Sequence, residues 1–85
     1  FWKDGVRRGA MLRAKGLHGA GLLAWARGDY ARAQTSFEES LGLRRTLGDT
    51  PGIAGSLREL GMTFLYRGDF RQARALLEES RTLYE

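Results

Sequence analysis

The sequence has no cysteine, one proline and one histidine. Without cysteine there is neither a disulfide nor a thiolate metal site to staple a chain of 85 residues. That absence is compatible with a cytoplasmic location, the one expected here. A lone His18 has no second ligand or base at useful spacing, so neither a metal centre nor a histidine-activated nucleophile is indicated. No uninterrupted apolar run reaches membrane-spanning length, and charges recur throughout. The opening Phe1-Trp2-Lys3-Asp4-Gly5 lacks the basic-then-apolar order of a secretory signal. No alternating strand pattern occurs. The chain starts without methionine and stops at Leu83-Tyr84-Glu85 inside a helical pattern, so it is expected to be a piece, or a processed form, of a longer polypeptide.

What is present is a modest basic excess, net +4, concentrated at the front. Lys3, Arg7, Arg8, Arg13 and Lys15 are opposed there only by Asp4. Such a segment can attract nucleic acid or an acidic partner, but charge counts alone describe a solvated helix face equally well.

The dominant feature is self-similarity. Shifted by 40 residues, Ala14 falls on Ala54, Leu17 on Leu57 and Gly21 on Gly61. Arg27-Gly28-Asp29-Tyr30 falls on Arg67-Gly68-Asp69-Phe70, Ala33 on Ala73, Glu38-Glu39-Ser40 on Glu78-Glu79-Ser80, and Leu43 on Leu83. Eleven identities in constant register between 14–45 and 54–85 mark an internal repeat.

Each unit reads as two helices. In the first, Ala14, Leu17, Gly21, Ala24 and Trp25 recur at helical steps until Gly28, a residue suited to the left-handed position after a helix. Asp29 then caps a second helix carrying Tyr30, Ala33, Phe37, Ser40 and Leu41, with Leu43 or Leu47, on its buried side. In the second unit Leu57, Leu60, Gly61, Phe64 and Leu65 lead to Gly68. Asp69 caps the next helix, with Gln72 at capping-box spacing, and Phe70, Ala73, Leu77, Ser80 and Tyr84 form its buried stripe. Between the units, Gly48 ends one helix and Thr50 caps the next, with Pro51 at its first position. Gly21 and Gly61, mid-helix at the same place in both units, each cost about 1 kcal/mol against alanine. That cost predicts a close helix–helix approach, with Ala33 and Ala73 as the small residues on the facing helix.

These residues resemble the tetratricopeptide repeat family. The second unit presents Leu57, Leu60-Gly61, Phe64, Gly68-Asp69-Phe70, Ala73, Leu77 and Ser80 against the family's pattern. The first presents Leu17, Ala20-Gly21, Ala24, Gly28-Asp29-Tyr30, Ala33, Phe37 and Ser40-Leu41. Two departures are the 40-residue period, where about 34 is usual, and the missing closing proline. The extra length is expected in the second helix, through Leu43-Arg44-Arg45-Thr46-Leu47. The long period looks like that of repeats in large bacterial regulators, which carry an ATPase module and often a DNA-binding domain; no part of either is visible here. The resemblance implies an all-α fold, a right-handed α-solenoid of antiparallel helix hairpins. The expected organisation is 1–13 as a helical extension or the remnant of a preceding repeat, 14–52 as repeat one, and 53–85 as repeat two, truncated at its end. The first helix starts near Val6, or the front belongs to a preceding helix with Phe1 and Trp2 on the open end.

In this family the first helix of each unit lines a concave groove. The resemblance places Lys15, His18, Leu22 and Trp25 of unit one there, with Arg58, Glu59, Met62 and Tyr66 of unit two. Such a mixed surface suits an extended peptide or a partner helix. The alternative for Trp25 and Met62 is plain packing against a neighbouring helix. A family subclass grips a peptide carboxylate with Lys and Asn; here His18, Leu22 and Glu59 stand at the corresponding positions, so that ligand is not implied.

No catalytic constellation is found. Glu38-Glu39 and Glu78-Glu79 read as an exposed ion-pair face, with Arg74 one turn before Glu78, and Ser36, Ser40, Ser56 and Ser80 have no base beside them in sequence. The chain is expected to be a non-enzymatic scaffold without cofactor or metal, binding a peptide, a partner protein or another domain of a larger regulator. Self-association through open ends, as a homodimer or by helix exchange between chains, is a second reading, because two repeats leave apolar faces uncovered. Nucleic-acid contact through the basic front is the third, and membrane contact is not expected.

Overall fold

The computed structural model describes residues 2–84, with the side chain of Trp2 excepted. Four helices follow one another: α1 (Trp2–Ala26), α2 (Tyr30–Leu47), α3 (Thr50–Tyr66) and α4 (Phe70–Tyr84). No strand occurs among the described residues. The packing of Phe1 and Trp2 expected from sequence lies outside the described residues. α1 packs on α2, α3 on α4, and α2 on α3, giving a slab of 45 × 30 × 13 Å. The front does not form a separate helix. α1 runs unbroken for 25 residues, and Arg7 donates to the Leu47 carbonyl at the far end of α2 (2.8 Å).

All three turns use one device. Gly28, Gly48 and Gly68 adopt left-handed φ of 79°, 67° and 86°, which a side chain would resist. The following aspartate then caps the next helix: Asp29, Asp49 and Asp69 accept from the backbone N–H of Arg32, Gly52 and Gln72, each at 3.2 Å. Each aspartate N–H also reaches back to a carbonyl of the helix before, on Ala24, Arg44 and Phe64. This corrects two expectations. Asp49, not Thr50, caps α3, because it follows the left-handed glycine as the other caps do; Thr50 is already helical. The capping box at Gln72 is not closed either, because the Phe64 carbonyl takes the Asp69 N–H that its side chain would need.

The core is thin and sits between the hairpins. Ala24, Ala33, Phe37, Leu41, Leu57 and Leu60 form it, flanked by Trp25, Ile53, Phe64 and Leu76. The mid-helix glycines are contact points. A Cβ on Gly21 would stand 2.5 Å from the Phe37 ring, and one on Gly61 would stand 2.9 Å from Leu77 Cγ. The repeated serines also have a structural use. Ser40 Oγ donates to the Ala14 carbonyl (2.9 Å) and Ser80 Oγ to the Ala54 carbonyl (2.8 Å), both buried. Each bond ties the two helices of one unit at the same place. Glu78 pairs with Arg74 at 3.0 Å on an exposed face, as the sequence suggests.

Part of the expected buried stripe is open. Phe70 and Tyr84 are each 66% exposed, and Leu65 is 37% exposed. Their counterparts in unit one have a neighbour: Tyr30 lies 5.8 Å from the Tyr66 ring of α3. No helix among the described residues covers α4 in the way that α3 covers α2.

Candidate protein-binding groove

The residues expected to line a groove separate into three groups. Leu22 and Trp25 from α1 meet Arg58, Glu59 and Met62 from α3 around a cleft of about 470 Å³, with Leu77 of α4 as a further wall. Leu22 is 43% exposed, while Trp25 and Met62 are half-buried. Arg58 and Glu59 pair with each other at 3.0 Å, the arginine well exposed and the glutamate largely covered. The cleft is therefore an apolar strip with one charged pair on its rim.

Trp25 and Tyr66 belong to an aromatic cluster at one end of this cleft. The Trp25 and Tyr66 rings cross at 4.9 Å with an interplanar angle of 69°, and Tyr30 stands 5.8 Å from each. Edge-on arrangements of this kind are favoured by the ring quadrupoles. The cluster joins α1, α2 and α3, so it fastens one unit to the next. Trp25 also rests against the core, and its indole N–H is buried with no oxygen or nitrogen acceptor. Trp25 thus packs and lines the cleft at once, whereas Tyr66, 55% exposed, keeps much of its surface open.

His18 and Lys15 do not line the cleft. Lys15 lies nearer the front, on a depression shared with Asp4, Arg7, Arg8, Met11 and Leu12, all from α1. A single helix supplies every wall there. His18 turns into the junction between the units, 5.5 Å from the Phe37 ring, with Nδ1 3.3 Å from the Arg44 guanidinium. The same Arg44 nitrogen donates to Ser56 Oγ (2.8 Å) and the Gly52 carbonyl (3.2 Å). Arg44 thereby bridges α1, α2 and α3, a role that its place in the sequence did not signal.

Burial, and then the Arg44 guanidinium, hold the His18 pKa below its ordinary 6.5. Glu59 opposes this shift and Arg58 adds to it. A depressed folded pKa means that the unfolded chain takes the proton first as pH falls. The stability associated with neutral His18 is therefore complete above about 6.5 and declines below it. Thermal melts between pH 8 and pH 5 should show a falling midpoint below pH 6.5, and His18→Gln should flatten that decline. An unchanged slope in the variant would remove His18 as its source.

Among the described residues no group of His, Asp and Glu could hold a metal ion, and no helix is long and apolar enough to cross a membrane. Of the basic front, Arg7 is engaged with Leu47, while Lys3, Arg8, Arg13 and Lys15 are exposed on α1. A family model described as tetratricopeptide repeat matches residues 12–85. No curated protein and no solved structure matches the chain significantly.

Proposed function

Because the chain belongs to the tetratricopeptide repeat family, whose helical hairpins generally mediate protein–protein interaction, we propose that it is a non-enzymatic scaffold holding a polypeptide partner in the cleft between α1 and α3. The partner is a peptide, a protein, or another domain of a larger regulator. The observation that carries this reading is exposed Leu22 and half-buried Met62 beside the Arg58–Glu59 rim, with Trp25, which rests against the core, as a further wall. Apolar side chains held in a rigid wall with a charged edge offer an anchor pocket at small ordering cost.

The test uses peptides selected from a random display library on the immobilised chain. Leu22→Glu and Met62→Glu should each weaken the selected peptide about tenfold or more, as loss of an anchor contact does, while leaving the helical signal intact. Phe70→Glu, on the far side of α4, should leave affinity unchanged. Trp25→Ala is a poor probe, because the indole also supports the core. Undiminished affinity in both cleft variants would refute the assignment.

A further inference from the structure

We propose that acid loosens the cleft: the junction of His18, Arg44 and Ser56 holds α1 and α3 at the spacing a polypeptide meets, and protonation of His18 releases it. The proposal rests on the reading of this cleft as the binding site.

α1 and α3 form the two main walls, yet they are not packed on each other along their length; each packs on α2. Their spacing is therefore set by side chains that meet at the two ends of the cleft. Along α1 the order is His18, Leu22, Trp25, and along α3 it is Ser56, Glu59, Met62, Tyr66, each step about one helical turn. At the far end Trp25 crosses Tyr66 with ring centroids 4.9 Å apart, and Tyr30 of α2 stands 5.8 Å from each. That fastener is aromatic. At the near end Arg44, in the last turn of α2, bridges the walls. One guanidinium nitrogen lies 3.3 Å from His18 Nδ1 and donates to Ser56 Oγ at 2.8 Å. Ser56 is fully buried and His18 is half-buried against Phe37, so the bridge is anchored on both sides.

The near fastener contains the chain's single histidine, the one side-chain type whose ordinary pKa lies between pH 5 and 8. The charged groups facing His18 are Arg44 from α2 and Arg58 and Glu59 from α3, and Lys15 precedes it by one turn on α1. A neutral imidazole has one nitrogen able to accept a guanidinium N–H, whereas an imidazolium only donates. Protonation thus sets a second cation 3.3 Å from Arg44, with no means of accepting from it. It also draws the ring toward Glu59, the one anion among those groups, whose carboxylate pairs with Arg58 at 3.0 Å on the cleft rim. Both changes act on the cleft: the bridge to Ser56 loses its α1 end, and Arg58 loses its partner. Burial, and then Arg44, keep the ring neutral at pH 7.5, so release begins only below about pH 6.5.

The probe is a peptide with capped ends and no His, Asp or Glu, selected on the chain from a display library at pH 7.5. Its Kd is measured by calorimetry from pH 7.5 to pH 5, with circular dichroism checking at each pH that the chain stays helical. Affinity should fall about threefold or more by pH 5, since a pKa lowered by one on binding is worth up to about tenfold. In His18→Gln, whose amide keeps an acceptor but never charges, affinity should stay flat. By reciprocity, saturating peptide should lower the midpoint of the His18 ring's NMR titration. That readout uses the wild type and does not depend on the variant folding. Without peptide, the Leu22, Glu59 and Met62 amides should titrate with the ring, and lose that titration in His18→Gln. Affinity independent of pH in the wild type, an equal fall in the variant, or a ring midpoint unmoved by peptide would each overturn the proposal. A peptide weakened by Leu22→Glu and Met62→Glu but blind to pH would leave the cleft standing and remove only the junction's role. A peptide indifferent to both of those variants would remove the cleft itself.

Discussion

Phe37→Ala is expected to lower the unfolding free energy by about 3–5 kcal/mol, the usual cost of emptying a buried phenylalanine site. Phe37 is completely buried and lies where the two units join. Its ring fills the space left by the missing side chain of Gly21 and supports the His18 ring at 5.5 Å. A chain of this size has about 4–13 kcal/mol to lose, so the variant should give up roughly a quarter of its stability or more. Phe70→Ala removes the same atoms from a 66% exposed site, and its effect should stay within about 0.5 kcal/mol. Urea titrations followed by circular dichroism compare the two directly. Equal effects would mean that the core lies elsewhere.

Gly21→Val should be nearly as damaging, at about 3 kcal/mol, which is the upper range for overpacking. Three atoms of the Phe37 ring stand 2.5–2.9 Å from the position of a Cβ on Gly21, so even the first added carbon forces the ring or the helix to move. In the same helix, Gly16 has nothing within reach of a Cβ. Gly16→Ala should therefore raise stability by about 0.5–1 kcal/mol through helix propensity alone. Two glycines five residues apart thus predict opposite signs. A stabilising Gly21→Val would show that α1 and α2 do not approach closely at this point.

The sequence made the hairpins legible because their turns and contact points are chemical rather than merely hydrophobic. The Gly-Asp pairs at 28–29 and 68–69 identified two turns. The same pair at 48–49 sits midway in the same 20-residue spacing, and it would have identified Asp49 as the third cap. Thr50-Pro51 competes with it as a signal, since that dipeptide also fits a helix start. The close approaches at Gly21 and Gly61 followed from their cost in a helix, and the side chains opposite them are Phe37 and Leu77.

What did not transfer from the repeat pattern was burial. Phe70 and Tyr84 occupy buried-side positions, but burial depends on a neighbour, and a sequence repeat records positions without recording neighbours. The candidate groove shows the same limit. Lys15, His18, Leu22 and Trp25 share a helical stripe, yet Arg58, Glu59 and Met62 of α3 meet only its Leu22–Trp25 end. His18 is drawn instead toward Arg44, whose bridging role depends on the α2–α3 turn bringing Gly52 and Ser56 within reach. Leu77 joins the cleft from α4, lying against the bare backbone of Gly61. Only the three-dimensional packing brings that residue there.

Binding of a polypeptide in the α1–α3 cleft is best checked by an amide-and-indole NMR titration of the chain with a display-selected peptide. Shift changes are expected at Leu22, Trp25, Arg58, Glu59 and Met62, with the Phe70–Arg81 face of α4 unperturbed. Changes confined to α4, or to the Arg7–Leu12 face of α1, would contradict it.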